Sequence, residues 1–336
     1  MKISYKKLLL LSIILFVTGV VYSIKSQSNY NSEISKLIVE SQSSGAFDYD
    51  KQIAKIKDIL KKYSYKEALI YAENLPITYR EYHSISHYIG QEMFKSFGVN
   101  GVAKCFDSTL QDPYFGCAHG FLSEAVRGTN YDMRKIEQGC RTITLGNHAS
   151  NCLHIIGHSI LHNLGFNDEA FIKANKICEQ ASDLDTANRC KDGTVMESTF
   201  ARLGTDGRGL VPKLEFDPEN PYYPCPLTDN SNCYTLKPEY WLRSLKLPVN
   251  QIVSYCTKAP NQTAQEKCFW GLGLMMWSES YVKSENIESY QALLSTNIKN
   301  CQNITLELGK DECLKGFKEA ESKLNDGTYR DVKHIF

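Results

Sequence analysis

Apolar and polar positions divide the chain into two unequal parts. Lys2, Lys6 and Lys7 precede a predominantly apolar run from Leu8 to Ile24, and Lys25 closes it. This is the layout of a Sec signal or of an N-terminal membrane anchor. Val21-Tyr22-Ser23 offers a small-residue cleavage site, while the run of 17 residues also falls just within the span of a bilayer, so both outcomes stay open. No later stretch approaches this apolarity. Residues 1–25 are therefore read as signal or anchor, 26–46 as a linker, 47–326 as the folded domain and 327–336 as a tail.

Within 47–326 the punctuation is helical. Ser64-Tyr-Lys-Glu and Thr78-Tyr-Arg-Glu read as capping boxes, in which Ser or Thr and a Glu three residues later satisfy the first free amides of a helix. Asp112-Pro113 reads as an N-cap followed by proline at the first helical position. Gly98, Gly165 and Gly204 each follow a helical run as C-cap glycines.

The cysteines give these helices a period. They fall in six successive pairs: Cys105 and Cys117, Cys140 and Cys152, Cys178 and Cys190, Cys225 and Cys233, Cys256 and Cys268, and Cys301 and Cys313. Five of the six pairs are C-x11-C. An even number in a chain with an export segment points to disulfides in an oxidising compartment, and no C-x-x-C is present to favour a thiolate metal site. A spacing that recurs five times predicts that each cysteine bonds to its sequence neighbour. First cysteines lie 35 and then 38 residues apart, the period of stacked helical hairpins. The expected fold is an all-α solenoid of about six α/α hairpins. Each hairpin carries its first cysteine near the end of a helix A and its second near the start of an antiparallel helix B. One segment, 204–237, breaks the rhythm with five prolines between Val211 and Pro226 and a shortened cysteine pair. It is either a degenerate repeat or a stapled insertion of the kind that meets partners.

With about one disulfide per hairpin over roughly Cys105 to Cys313, the layout resembles that of the cysteine-rich Sel1-like solenoids. The resemblance implies an exported α/α repeat fold and carries no activity with it.

Taking the second cysteine as position zero of each helix B aligns the chemistry. Position +2 is His119, His154, Asp192, Trp270 and Lys315. An earlier unit, in which Ile85 takes the cysteine place, puts His87 there as well. At about 100° per residue, +2 lies roughly opposite the cysteine, with +6 and −2 close beside it. His158 at +6 and His83 at −2 therefore join the same wall, expected to be the concave one, and His162 at +10 sits at its margin. His148 falls in the loop before a helix B and His334 in the tail. Glycine recurs at +3 (120, 193, 271, 316) and at +5 (90, 157, 273), predicting close helix packing ahead of room for a ligand. Glu92, Glu124 and Glu197 share +7, which turns back toward helix A. They are expected as half-buried acids paired with arginines such as Arg80, Arg127 or Arg202, and only secondarily as catalytic groups or ligands.

Two H-x-x-x-H pairs, His83/His87 and His154/His158, with His119 between their units and Asp192 beyond, have the composition of a transition-metal site. Iron, zinc or copper in a hydrolytic or oxidative enzyme is one expectation. The other is a non-catalytic scaffold or metal store, whose groove takes a peptide, glycan or small molecule through a polar histidine surface. Equal numbers of acidic and basic residues, 38 each, provide no field for nucleic acid, and only the N-terminal segment implicates a membrane. No nucleophile elbow, Walker loop, dinucleotide fingerprint, HExxH or C-x-x-C-H is present. Asn261-Gln-Thr and Asn303-Ile-Thr are glycosylation acceptors in a host that modifies exported chains.

Overall fold

The computed structural model of the chain describes residues 33–41, 48–106, 115–144, 148–201, 216–284 and 286–325. The Leu8–Ile24 run, Asp112-Pro113, Arg202, Gly204, the tail with His334 and part of the 204–237 segment lie outside the described residues. Among the described residues every regular element is helical, and no helix is long and apolar enough to cross a membrane.

The chain divides into two compact units, Met1–Ile85 and Ser86–Phe336. In the first, α1 (33–41) lies within the stretch expected as linker and is followed by α2 (Tyr49–Lys62), α3 (Tyr65–Glu73) and the start of α4 (Tyr79–Phe97). Helix α1 is held by a buried polar hub. The Tyr71 hydroxyl donates to Gln52 at 2.6 Å and shares a hydrogen bond of 2.6 Å with Ser41. The capping boxes form as expected at Thr78, whose backbone amide donates to Glu81 while its hydroxyl accepts from the Glu81 amide. At Ser64 the hydroxyl accepts from the Lys66 amide instead.

The second unit is the repeat. A 3₁₀ segment (Val99–Phe106) precedes α5 (Gly116–Gly128); then α6 (Met133–Arg141) pairs with α7 (His148–Leu164), and α8 (Asp168–Cys178) with α9 (Leu184–Ala201). After the irregular segment come α10 (Asn232–Glu239), α11 (Val249–Thr257) with α12 (Gln262–Lys283), and α13 (Ile287–Gln302) with α14 (Glu307–Asn325).

All twelve cysteines bond to their sequence neighbours, as their spacing predicts. Cys105–Cys117 joins the 3₁₀ segment to α5, Cys140–Cys152 joins α6 to α7, and Cys178–Cys190 joins α8 to α9. Cys225–Cys233 closes the irregular segment onto α10, Cys256–Cys268 joins α11 to α12, and Cys301–Cys313 joins α13 to α14. Their Cα separations of 5.4 to 5.6 Å lie at the usual disulfide distance. Six disulfides place the folded chain in an oxidising, extracytoplasmic environment. Gly98 and Gly165 take positive φ (60° and 102°) where helices α4 and α7 end.

The glycine columns determine how B helices stack, and packing is their role. A Cβ on Gly157 would overlap the carbonyl oxygen of Cys190, and a Cβ on Gly193 would overlap that of His154, so α7 and α9 approach through a reciprocal pair. Gly90 and Gly120 meet the carbonyls of Cys117 and His87 in the same way, and Gly273 and Gly316 those of Cys313 and Trp270. Approach this close brings glycine Cα–H groups onto facing carbonyls. In each of these pairs the +5 residue of one helix meets position zero of the next, and the +3 residue of the next returns to +2 of the first. Helices α5 and α7 lack this pair: Leu122 and Ile155 occupy the two positions.

The irregular segment is a shortened unit of the same stack. Gly271 of α12 packs on the Thr235 carbonyl of α10, as +3 glycines do elsewhere. Beyond Pro238, which can donate no backbone hydrogen bond, the helix widens into a π turn at Tyr240–Ser244, with the Leu245 amide bonded to the Tyr240 carbonyl at 3.1 Å.

Candidate functional site

The interval between α5, α7 and α9 holds the histidines. One turn apart on α7, His154 and His158 approach each other Nε2 to Nε2 at 3.0 Å. The other nitrogen of His158, Nδ1, lies 2.8 Å from Oε2 of Glu197 on α9. An ionised carboxylate accepts the Nδ1–H of His158, and one proton is shared between Nε2 of that ring and Nε2 of His154. From α5, the ring of His119 meets that of His158 edge-on, with centroids 5.1 Å apart, and stacks on His87 of α4 at 5.5 Å. His162 stands at the exposed rim, Nδ1 3.8 Å from the other oxygen of Glu197. The rings of His87, His119, His158 and His154 and the Glu197 carboxylate thus form one continuous polar array. Its contact between +2 and the next unit's +6 recurs outside the histidines, where the indole of Trp270 donates to Glu319 at 3.2 Å.

Burial sets the charges. It pushes the His154 imidazole down to about 3, with the charge of His158 and then Arg189 acting in the same direction. Burial alone would raise the Glu197 carboxyl, but the hydrogen bond from His158 and the nearby His162 outweigh it and bring it down to about 2. Near neutral pH the cluster therefore holds one anion, Glu197, against a His154 that stays uncharged.

Several expectations change. Among the described residues, no group of three or more His, Cys, Asp or Glu side chains could hold a metal ion. The expected metal centre is overturned, and the metal-dependent enzyme and metal store built on it go with it. The physical reason lies in how the groups face one another. His154 and His158 share a proton between nitrogens, His158 gives its second nitrogen to Glu197, and His87 and His119 stack ring on ring; their lone pairs do not converge. Asp192 is elsewhere: it accepts hydrogen bonds from Asn230 at 2.8 Å and Asn232 at 3.5 Å, and burial raises its pKa. It ties α9 to the shortened unit. His83 lies one turn before His87 in α4 and falls in the first compact unit.

The acidic column splits. Glu92 pairs with Lys95 at 2.7 Å and Glu124 pairs with Arg127, both on the surface of their own helices. Glu197 instead joins the histidine wall, against the expectation from its angle. A signal for this was present: Glu92 and Glu124 have a basic residue three positions on, whereas Glu197 has Phe200. Because the Glu124–Arg127 pair is exposed, Arg127→Ala is expected to change unfolding free energy by no more than about 0.5 kcal/mol in urea titration.

No family model, curated protein or solved structure matches the chain.

Proposed function

We propose that the chain is an extracytoplasmic binding scaffold, exported through its Leu8–Ile24 segment, whose recognition surface is the imidazole wall of α4, α5, α7 and α9. The observation that supports this is the continuous array from His87 through His119 and His158 to His154, anchored on a half-buried carboxylate. Apolar side chains would fill the same interval without the desolvation that imidazoles and a carboxylate incur. Turnover is the weaker reading. The Glu197–His158 pair has the form of a general-base dyad, but the Nε2 that would act as base is engaged by His154. The ligand this wall suits is a peptide or small polar molecule that hydrogen-bonds imidazole edges and packs on their faces.

The test is a thermal-shift screen of peptide and metabolite libraries against the wild-type chain, repeated with the variants His119→Ala, within the array, and His162→Ala, at its rim. Ligands of the wall should lose about tenfold in affinity in at least one variant, as expected for one lost hydrogen bond. Failure to find a ligand, or ligands indifferent to both variants, would sink the proposal.

A further inference from the structure

The shortened unit carries a second feature, distinct from the histidine wall. Between the Cys225–Cys233 staple and the corner where α11 turns into α12 lies a pocket of about 470 Å³, the size range of small-molecule sites. Thr228, Asp229, Ser231, Tyr234, Asn261 and Thr263 are among its lining residues. Its frame is rigid. The Thr228 hydroxyl donates to Asn175 at 2.9 Å, and the neighbouring Asn230 is tied to Asp192. The Asn261 side-chain oxygen, Oδ1, caps α12 by accepting from the Ala264 amide at 2.9 Å. Its Asp229 carboxylate is offset by the buried Lys191 at 2.6 Å, a lysine that Glu179 shares at 3.0 Å.

We infer that this pocket binds a neutral saccharide. The chemistry of the lining carries the inference. Hydroxyls of Ser231 and Thr263, the amide nitrogen of Asn261 and the carbonyl oxygen of Gln262 retain hydrogen-bonding capacity among the described residues, and Tyr234, buried against Tyr222, forms part of the wall. An array of uncharged donors and acceptors matches the alternating hydroxyls of a sugar. An anion would meet the Asp229 carboxylate. A cation would have to compete with Lys191 for it. This site is independent of the proposed wall and lies at the one unit whose cysteine spacing is shortened.

The full chain, produced in a host that does not glycosylate proteins so that Asn261 is unmodified, is titrated calorimetrically with glucose, galactose, mannose, N-acetylglucosamine and their disaccharides. At least one should bind with a Kd of about 1 mM or tighter. Ser231→Ala and Thr263→Val, both conservative changes, should each weaken that binding about tenfold, and His119→Ala should leave it unchanged. Absence of binding across the panel, indifference to both pocket variants, or loss of binding in His119→Ala would each overturn the inference, and only the last would implicate the histidine wall.

Discussion

Alanine at Gly157 or Gly193 is expected to destabilise the fold by about 2 kcal/mol or more in each case, although alanine is the better helix former by about 1 kcal/mol. The added methyl would overlap a backbone carbonyl, that of Cys190 or of His154, and a carbonyl within a helix cannot swing aside as a side chain can. Relief requires α7 and α9 to move apart, which also draws His158 away from Glu197. Gly165→Ala is the contrast. Nothing lies within 4 Å of its Cβ, and only the strain of a positive φ, about 1–2 kcal/mol, opposes it. Urea unfolding followed by circular dichroism distinguishes the cases. Gly157→Ala and Gly193→Ala variants as stable as wild type would show that the helices do not approach through these glycines.

Acid should unfold the protein through the same interval. His154 has a folded pKa of about 3 against an ordinary 6.5, and Glu197 about 2 against 4.5. Both are depressed, so the unfolded chain binds more protons as pH falls. The stabilisation is complete above 6.5 for His154 and above 4.5 for Glu197, and is lost as pH falls toward the folded values. For His154 alone the loss between pH 7 and pH 5 amounts to about 2 kcal/mol. A His154→Gln variant, which cannot titrate, should show a correspondingly flatter stability profile over that range, with the remaining fall confined to the carboxylate window. A variant whose profile keeps the wild-type slope would place the acid sensitivity elsewhere.

The hairpins were legible because covalent and steric demands leave marks in one sequence. The C-x11-C spacing of Cys140 and Cys152, repeated at Cys256 and Cys268 and at Cys301 and Cys313, states a hairpin length. The +3 and +5 glycines state a helix approach that no other residue permits. The histidine column was legible for the same reason, since the cysteine register defines which face each residue takes. What those histidines do was not legible. A list of ligand-type residues on one wall does not reveal whether their lone pairs converge, and here ring stacking and the His154–His158 hydrogen bond turn them toward one another. Asp192 shares its column with the histidines, yet the polar Asn230 and Asn232 of the shortened unit capture it. Glu197 shows the converse error. Its nominal helical angle faces away from the wall, but no basic neighbour on its own helix holds it there, and His158 does.

Direct observation of the imidazole nitrogens by ¹⁵N NMR, on the full chain titrated from pH 7 to pH 5, tests the central claim that these rings form one half-buried, carboxylate-anchored array. The account predicts an Nδ1–H on His158 bonded to Glu197 and a His154 that stays neutral across the titration. A His154 that takes up its proton near the ordinary 6.5 would contradict it.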